Sequence, residues 1–407
     1  MIDSCTDVMA VAEALSDPRN VWTTTSPPGG RAWPQSLAGG AAGIALLHIE
    51  RARSGLGDWS TAHDWLSVAA SGELTAAANA GLFFGAPALA FVTHAAAGSS
   101  GRYRRALTTL DEAVIIITRT RLAAAHARID RSDQPVMKEF DLIRGLAGLG
   151  AYHLRRHPDR PIIHDVLSYL VRLTEPLPSG TELPPWWTNV APNGEPNPEY
   201  PQGHGNFGLS HGIGSVLALL SLAVLRNVPV AGMTDAIERI CEWTDLWRQQ
   251  DDAGLWWPGF ITLDQVREQH IRSSLRPRPS WCYGVAGTAR AQQLAGMALG
   301  DTARQQTAED AMLTALRDPA QLNLLPEIGL CHGKAGLLQA AWRMASDART
   351  PHIAAELPRL ATQLAAQLSG PPCDPELLDG TAGAALALHT VGTNAAASDW
   401  DTFLLLA

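Results

Sequence analysis

The 407-residue sequence predicts an all-α protein, an α/α toroid in which seven helical hairpins form a double ring. Three observations predict it. A turn carrying a glycine, then small or apolar residues and an Ala/Leu-rich run, recurs seven times. Amphipathic stretches of helical period separate the copies, and no convincing strand alternation competes with them.

The copies are GGAAGIALLHIE at Gly40, FFGAPALAFVTH at Gly85, IRGLAGLGAYHL at Gly145, LSHGIGSVLALL at Gly212, CYGVAGTARAQQL at Gly284, CHGKAGLLQAAW at Gly333 and LDGTAGAALALH at Gly380. Their first glycines are 45, 60, 67, 72, 49 and 47 residues apart, and each gap holds one helical hairpin plus loops. The glycine helices are apolar almost all round, as helices buried on two sides must be. The stretches 103–127, 162–173, 233–247 and 354–368 are one-sided and should face water. An inner ring of glycine helices inside an outer ring satisfies both patterns, and an open superhelical solenoid is the alternative. Residues 1–407 read as a single domain. Within it, Pro176 to Asn206 holds too many prolines and glycines for a helix, and this Pro/Gly-rich loop is expected to form a wall or lid near the active centre.

Bulk properties narrow the function. With 31 basic and 40 acidic residues, a net charge of -9, the chain's balance argues against a general nucleic-acid or anionic-membrane surface. Five cysteines scattered at 5, 241, 282, 331 and 373 do not suggest a disulfide framework, which favours a reducing compartment. The N-terminus lacks the basic and apolar regions of a signal peptide, and the most apolar stretch, Val216 to Leu225, is too short to span a bilayer. These features predict a cytoplasmic location.

Chemistry gathers on the glycine turns. Cys282 in SWCYGVAG and the pair Cys331-His332 in GLCHGKAG offer two thiolates and an imidazole, three ligands for one tetrahedral zinc with its fourth position open. Asp141 lies four residues before Gly145, His211 one before Gly212, Cys282 two before Gly284, and Cys331 and His332 two and one before Gly333. Shared offsets in a ring put these residues on one rim. Gly333 supplies the bend that lets both Cys331 and His332 face one ion. His211 is the natural proton carrier near neutral pH. Asp141 either caps the following helix or orients His211. Arg278, four residues before Cys282, is either a solvated loop charge or a stabiliser of negative charge. Cys5, Cys241 and Cys373 have no histidine at ligand spacing.

The motifs GLSHGIG around His211, RPSWCYG from Arg278 to Gly284, and LCHGKAG around Cys331 and His332, with the weaker DLIRGLAG from Asp141, resemble those of the lanthipeptide cyclase family, the lanthionine synthetase C-like proteins. The resemblance spans essentially the whole chain through its seven glycine turns. It implies a toroid with one zinc held by Cys282, Cys331 and His332. It implies addition of cysteine thiols of a precursor peptide to dehydroalanine or dehydrobutyrine, closing (methyl)lanthionine rings in lantibiotic biosynthesis. His211 would be the acid/base, with Asp141, Arg278 and Tyr283 lining the site. The resemblance further implies a stand-alone, class I type cyclase without the small insertion domain of some members. Its substrate would come from a separate dehydratase, in a complex associated with a transporter.

Two other classes compete. One is a zinc- and thiol-binding scaffold of the same family. The other is a toroid carbohydrate-active enzyme, for which Trp186, Trp187, Trp256 and Trp257 would line a cleft, although no carboxylate pair stands at the rim.

Overall fold

The computed structural model describes residues 4–24, 34–176, 183–369 and 374–407, and their regular structure is helical apart from four three-residue strands. All seven glycine turns open helices. Gly40, Gly85, Gly145, Gly212, Gly284, Gly333 and Gly380 are the N-caps of Ala41–Arg53, Ala86–Ala97, Leu146–Arg156, Ile213–Leu225, Val285–Leu299, Lys334–Asp347 and Thr381–Thr393.

These glycines serve closeness more than conformational freedom. Gly333 has extended backbone, φ -112°, which any residue adopts, and among the seven only Gly85 has a positive φ, 76°. The expectation that Gly333 is needed for its backbone freedom is therefore corrected. The loop before each helix curls back over the first helical turn. A Cβ on Gly145, Gly284 or Gly333 would run into the backbone of residues 140–141, 278–280 or 327–329. Gly43, Gly287 and Gly383, one turn further along, face the carbonyl oxygens of Leu37, Trp281 and Leu377 in the same way.

The chain divides into two compact units, Met1–Ile115 with Leu325–Thr402, and Ile116–Leu324 with Phe403–Ala407. In the first, Ala41–Arg53 packs against Trp59–Ala69 and Ala86–Ala97, and Lys334–Asp347 packs against His352–Leu368 and Thr381–Thr393. Ala41–Arg53 buries every residue but Arg51 and Arg53. Its partner Trp59–Ala69 buries only Ala62, Trp65, Leu66 and Ala69, the one-sided stripe of a covering helix. Thr381–Thr393 packs against Ala41–Arg53, so the last glycine helix adjoins the first. Its covering helix is Ser4–Ala14, because only the 3-10 stretch Trp400–Leu404 follows it. The N-terminal segment, read from sequence merely as a terminus, completes the seventh pair. The turns are tied in sequence. Backbone amides of Leu330 and Cys331 donate to the Leu378 carbonyl, those of Leu377 and Leu378 to Ala38, and that of Leu37 to Phe83.

In the second unit Ile213–Leu225 packs against both Leu146–Arg156 and Val285–Leu299, and Pro161–Leu173, Met233–Leu246 and Thr302–Arg317 cover them. Here too the turns are chained: Leu142 donates to the Ser210 carbonyl, and Leu209 and Ser210 donate to that of Cys282. The strands are β1 His204–Asn206, β2 Gln249–Asp251, β3 Gly254–Trp256 and β4 Phe260–Thr262. β1 pairs antiparallel with β4, Asn206 opposite Phe260, and β2 with β3 form a hairpin. The segment 176–206, expected to be loop throughout, thus ends in a strand; its residues 177–182 lie outside those described. Trp187, Phe207, Trp247, Trp256, Ile261 and Ile271 form a core beneath the strands, with Trp243 packed against it. Trp186 and Trp257 are also buried, so none of the four tryptophans is an exposed aromatic platform, although Trp257 borders a small cavity with Asp245 and Arg304. No helix among the described residues is long and apolar enough to cross a membrane.

Candidate metal centre and active site

Each candidate residue sits on the bend just ahead of a glycine helix or in the loop leading to it. Because neighbouring turns share backbone hydrogen bonds, residues distant in sequence become neighbours. Asp141 and His211, on adjacent turns of the second unit, meet at 2.7 Å between Oδ2 and Nδ1. Asp141 is buried, and its other oxygen, Oδ1, accepts the backbone N–H of Arg144 at 2.7 Å. The reading of Asp141 as cap of the next helix is corrected, since Gly145 is that N-cap. Asp141 braces the turn with one oxygen and faces the imidazole with the other.

A carboxylate at Nδ1 fixes the tautomer. The proton sits on Nδ1 facing Asp141, and Nε2 is left to exchange protons elsewhere. The His211 ring stacks on Tyr283, with centroids 6.5 Å apart and an interplanar angle of 27°, and Tyr283 meets Phe260 edge-on at 5.9 Å. Tyr283 thereby joins its own turn to the strand-bearing excursion. Arg278 is half-buried and lines one cavity with Cys282 and Tyr283.

Cys282 is buried, and the Ser280 hydroxyl lies 3.4 Å from its Sγ. Cys331 and His332 are half-buried on the turn before Lys334–Asp347, and His332 Nδ1 lies 3.6 Å from Asp379 Oδ1. Cys331 and His332, adjacent on one turn of the first unit, and Cys282, on a turn of the second, are together two thiols and an imidazole, a donor set that could hold a metal ion. Two thiolates and one imidazole are the ligand types of a tetrahedral zinc with one open position, so the donor set fits the ion. Cys241 is a different case, because burial pushes its thiol up to about 12 and makes it inert. Cys373 lies outside the described residues.

Residues 31–405 match the family of lanthionine synthetase C-like proteins. The chain belongs to the lanthionine synthetase C-like family. It is 26% identical over 208 residues to the nisin biosynthesis protein NisC of Lactococcus lactis subsp. lactis, a match covering 49% of this chain and 48% of that protein. The chain thus matches about half the length of this curated relative. The solved structure of a nisin cyclase superposes with a TM-score of 0.81 at 19% identity, covering 98% of this chain and 97% of that one. The fold is therefore the helical toroid of that cyclase, and the all-α class expected from the sequence holds.

Two residues of this lanthionine synthetase C-like chain escaped the sequence reading. Asp379 precedes Gly380 by one residue, the offset that singled out His211 and His332, and that register was the signal for it. Ser280, two residues before Cys282, carries no signal, because a serine beside a cysteine is commonplace.

Proposed function

We propose that this protein is a lanthionine-forming cyclase, which adds cysteine thiols of a dehydrated precursor peptide to its dehydroalanine or dehydrobutyrine residues. The observation that carries the reading is a proton-moving pair, His211 with Asp141, on the same chain of turns as Cys282, one of three residues fitted to hold zinc. Membership of the lanthionine synthetase C-like family supports it. So does the single family match across 31–405, which favours treating the two compact units as one working domain.

Cys282, Cys331 and His332 would hold the zinc, whose contribution when bound is to keep a substrate cysteine deprotonated near neutral pH. Two cysteine thiolates already offset the charge of the ion, which suits an electron-rich sulfur nucleophile better than water activation. The protein's residues do the rest. The substrate sulfur forms its bond at the β-carbon of the dehydro residue while the alkene electron pair shifts toward the adjacent carbonyl. Arg278 stabilises the enolate oxygen. His211 then delivers the proton from Nε2 to the α-carbon, and the neutral imidazole accepts a proton from the next thiol. Asp141 holds the ring through Nδ1, and Tyr283 limits its tilt by stacking. A separate dehydratase supplies the dehydro residues, working in a transporter-associated complex.

Metal analysis tests the donor set. Protein purified without added zinc should contain about one equivalent per chain, falling sharply in Cys282→Ala and Cys331→Ala. A metal-free wild type that still closes thioether rings would refute it.

A further inference from the structure

A cavity of about 490 Å³ in the second unit is lined by Ser280, Cys282 and Tyr283 together with Tyr200, Phe260 and Leu275. Its outer walls come from chain inserted between hairpins: the end of 176–206, β4, and the 3-10 turn Ser273–Leu275. That insertion explains why the longest spacings, 67 and 72 residues, flank Gly212. Phe260 and Leu275 are large apolar side chains left 36% and 49% exposed. Tyr200 meets Phe260 edge-on at 5.9 Å, and Phe260 meets Tyr283 in the same way. Behind Leu275, Arg276 is pinned to Asp251 at 2.5 Å and to the Ala253 carbonyl at 2.9 Å. A braced apolar recess that opens on a reactive centre is the form of a binding subsite.

We propose that this cavity is a specificity subsite that receives a bulky apolar or aromatic side chain from the residue flanking the reacting cysteine of the peptide. The proposal rests on the cyclase reading above. A peptide is the occupant because Cys282 and Tyr283 are part of the cavity lining, so a group filling it lies beside a thiol delivered there. An apolar group is favoured because it covers the exposed faces of Phe260 and Leu275, whereas a charged one would lose hydration against them. The lining holds one charge of each sign, Glu199 and Arg278, so the cavity selects by apolar contact and not by net charge.

The test uses dehydrated synthetic peptides that differ only in the residue flanking the cysteine, which is Phe, Leu, Gly or Asp. For zinc-loaded wild type, kcat/KM is expected to be about tenfold higher with Phe or Leu than with Gly, mainly through KM, and lowest with Asp. Leu275→Asp should erase the preference while keeping zinc content and melting temperature, and the milder Leu275→Ala should reduce it. Equal kcat/KM for all four peptides, or full preference retained in both variants, overturns the subsite and leaves the cyclase intact. No ring closure with any peptide overturns both.

Discussion

Asp141 divides its oxygens between two tasks, and the division makes its role measurable. Oδ1 braces the turn through the Arg144 amide, while Oδ2 faces His211. Asn in its place still offers an oxygen to the amide but no charge to the imidazole. Asp141→Asn should therefore melt normally and bind zinc normally while kcat falls at least about tenfold with KM little changed. A lowered melting temperature with wild-type kcat would make Asp141 a structural residue. In the proposed reaction His211 bears the proton itself, so His211→Asn should keep zinc and fold but lose about 10²-fold in cyclisation rate. Loss of metal or solubility in that variant would contradict the assignment. Ser280 and Asp379 stand beside Cys282 Sγ and His332 Nδ1, where neighbouring polar groups orient ligands.

At the scale of elements, the glycine turn is the repeating device, and it was legible because its cause is local. The loop must pass so close to the helix it precedes that no Cβ fits, and that demand writes glycine at a fixed register. Gly383→Ala would press a methyl group into the Leu377 carbonyl and the Leu330 side chain, next to Cys331. The variant should lose about 1 to 3 kcal/mol of stability in denaturant unfolding, and its zinc should be easier to remove with a chelator. Gly72→Ala, where a Cβ meets nothing within 4 Å, is the control and should be near neutral. A neutral Gly383→Ala would refute the packing account. The strands were not legible, since three residues cannot display a period of two, and β1 finds β4 across more than fifty intervening residues. Nor was the role of Ser4–Ala14, whose partner Thr381–Thr393 lies at the far end of the chain. Register made Cys282, Cys331, His332, His211 and Asp141 readable in the sequence, whereas the His211–Asp141 bond depends on how turns stack.

Across the molecule, burial of titratable groups sets how acid affects the fold. Burial lowers His48 and His389 to about 4. His48 Nε2 donates to the Leu15 carbonyl at 2.8 Å, and its ring stacks on Trp65. Because both histidines are neutral when folded, the unfolded chain takes up protons first as pH falls below about 6.5, and stability declines from there toward pH 4. Glu50, raised by burial, works in the opposite sense, so a variant comparison isolates the histidine. His48→Asn should show a shallower fall of melting temperature between pH 7 and 5 than wild type, and parallel curves would contradict this.

The most direct test of the whole account is a count of free thiols. A dehydrated cysteine-containing peptide is incubated with zinc-loaded protein, treated with an alkylating reagent and weighed by mass spectrometry. Wild type should remove alkylatable thiols without changing the mass of the unalkylated peptide, as addition to a dehydro residue requires, while Cys331→Ala and His211→Asn should leave them reactive. Thiols that remain fully alkylatable with zinc-loaded wild type would contradict the assignment of this site as a lanthionine-forming centre.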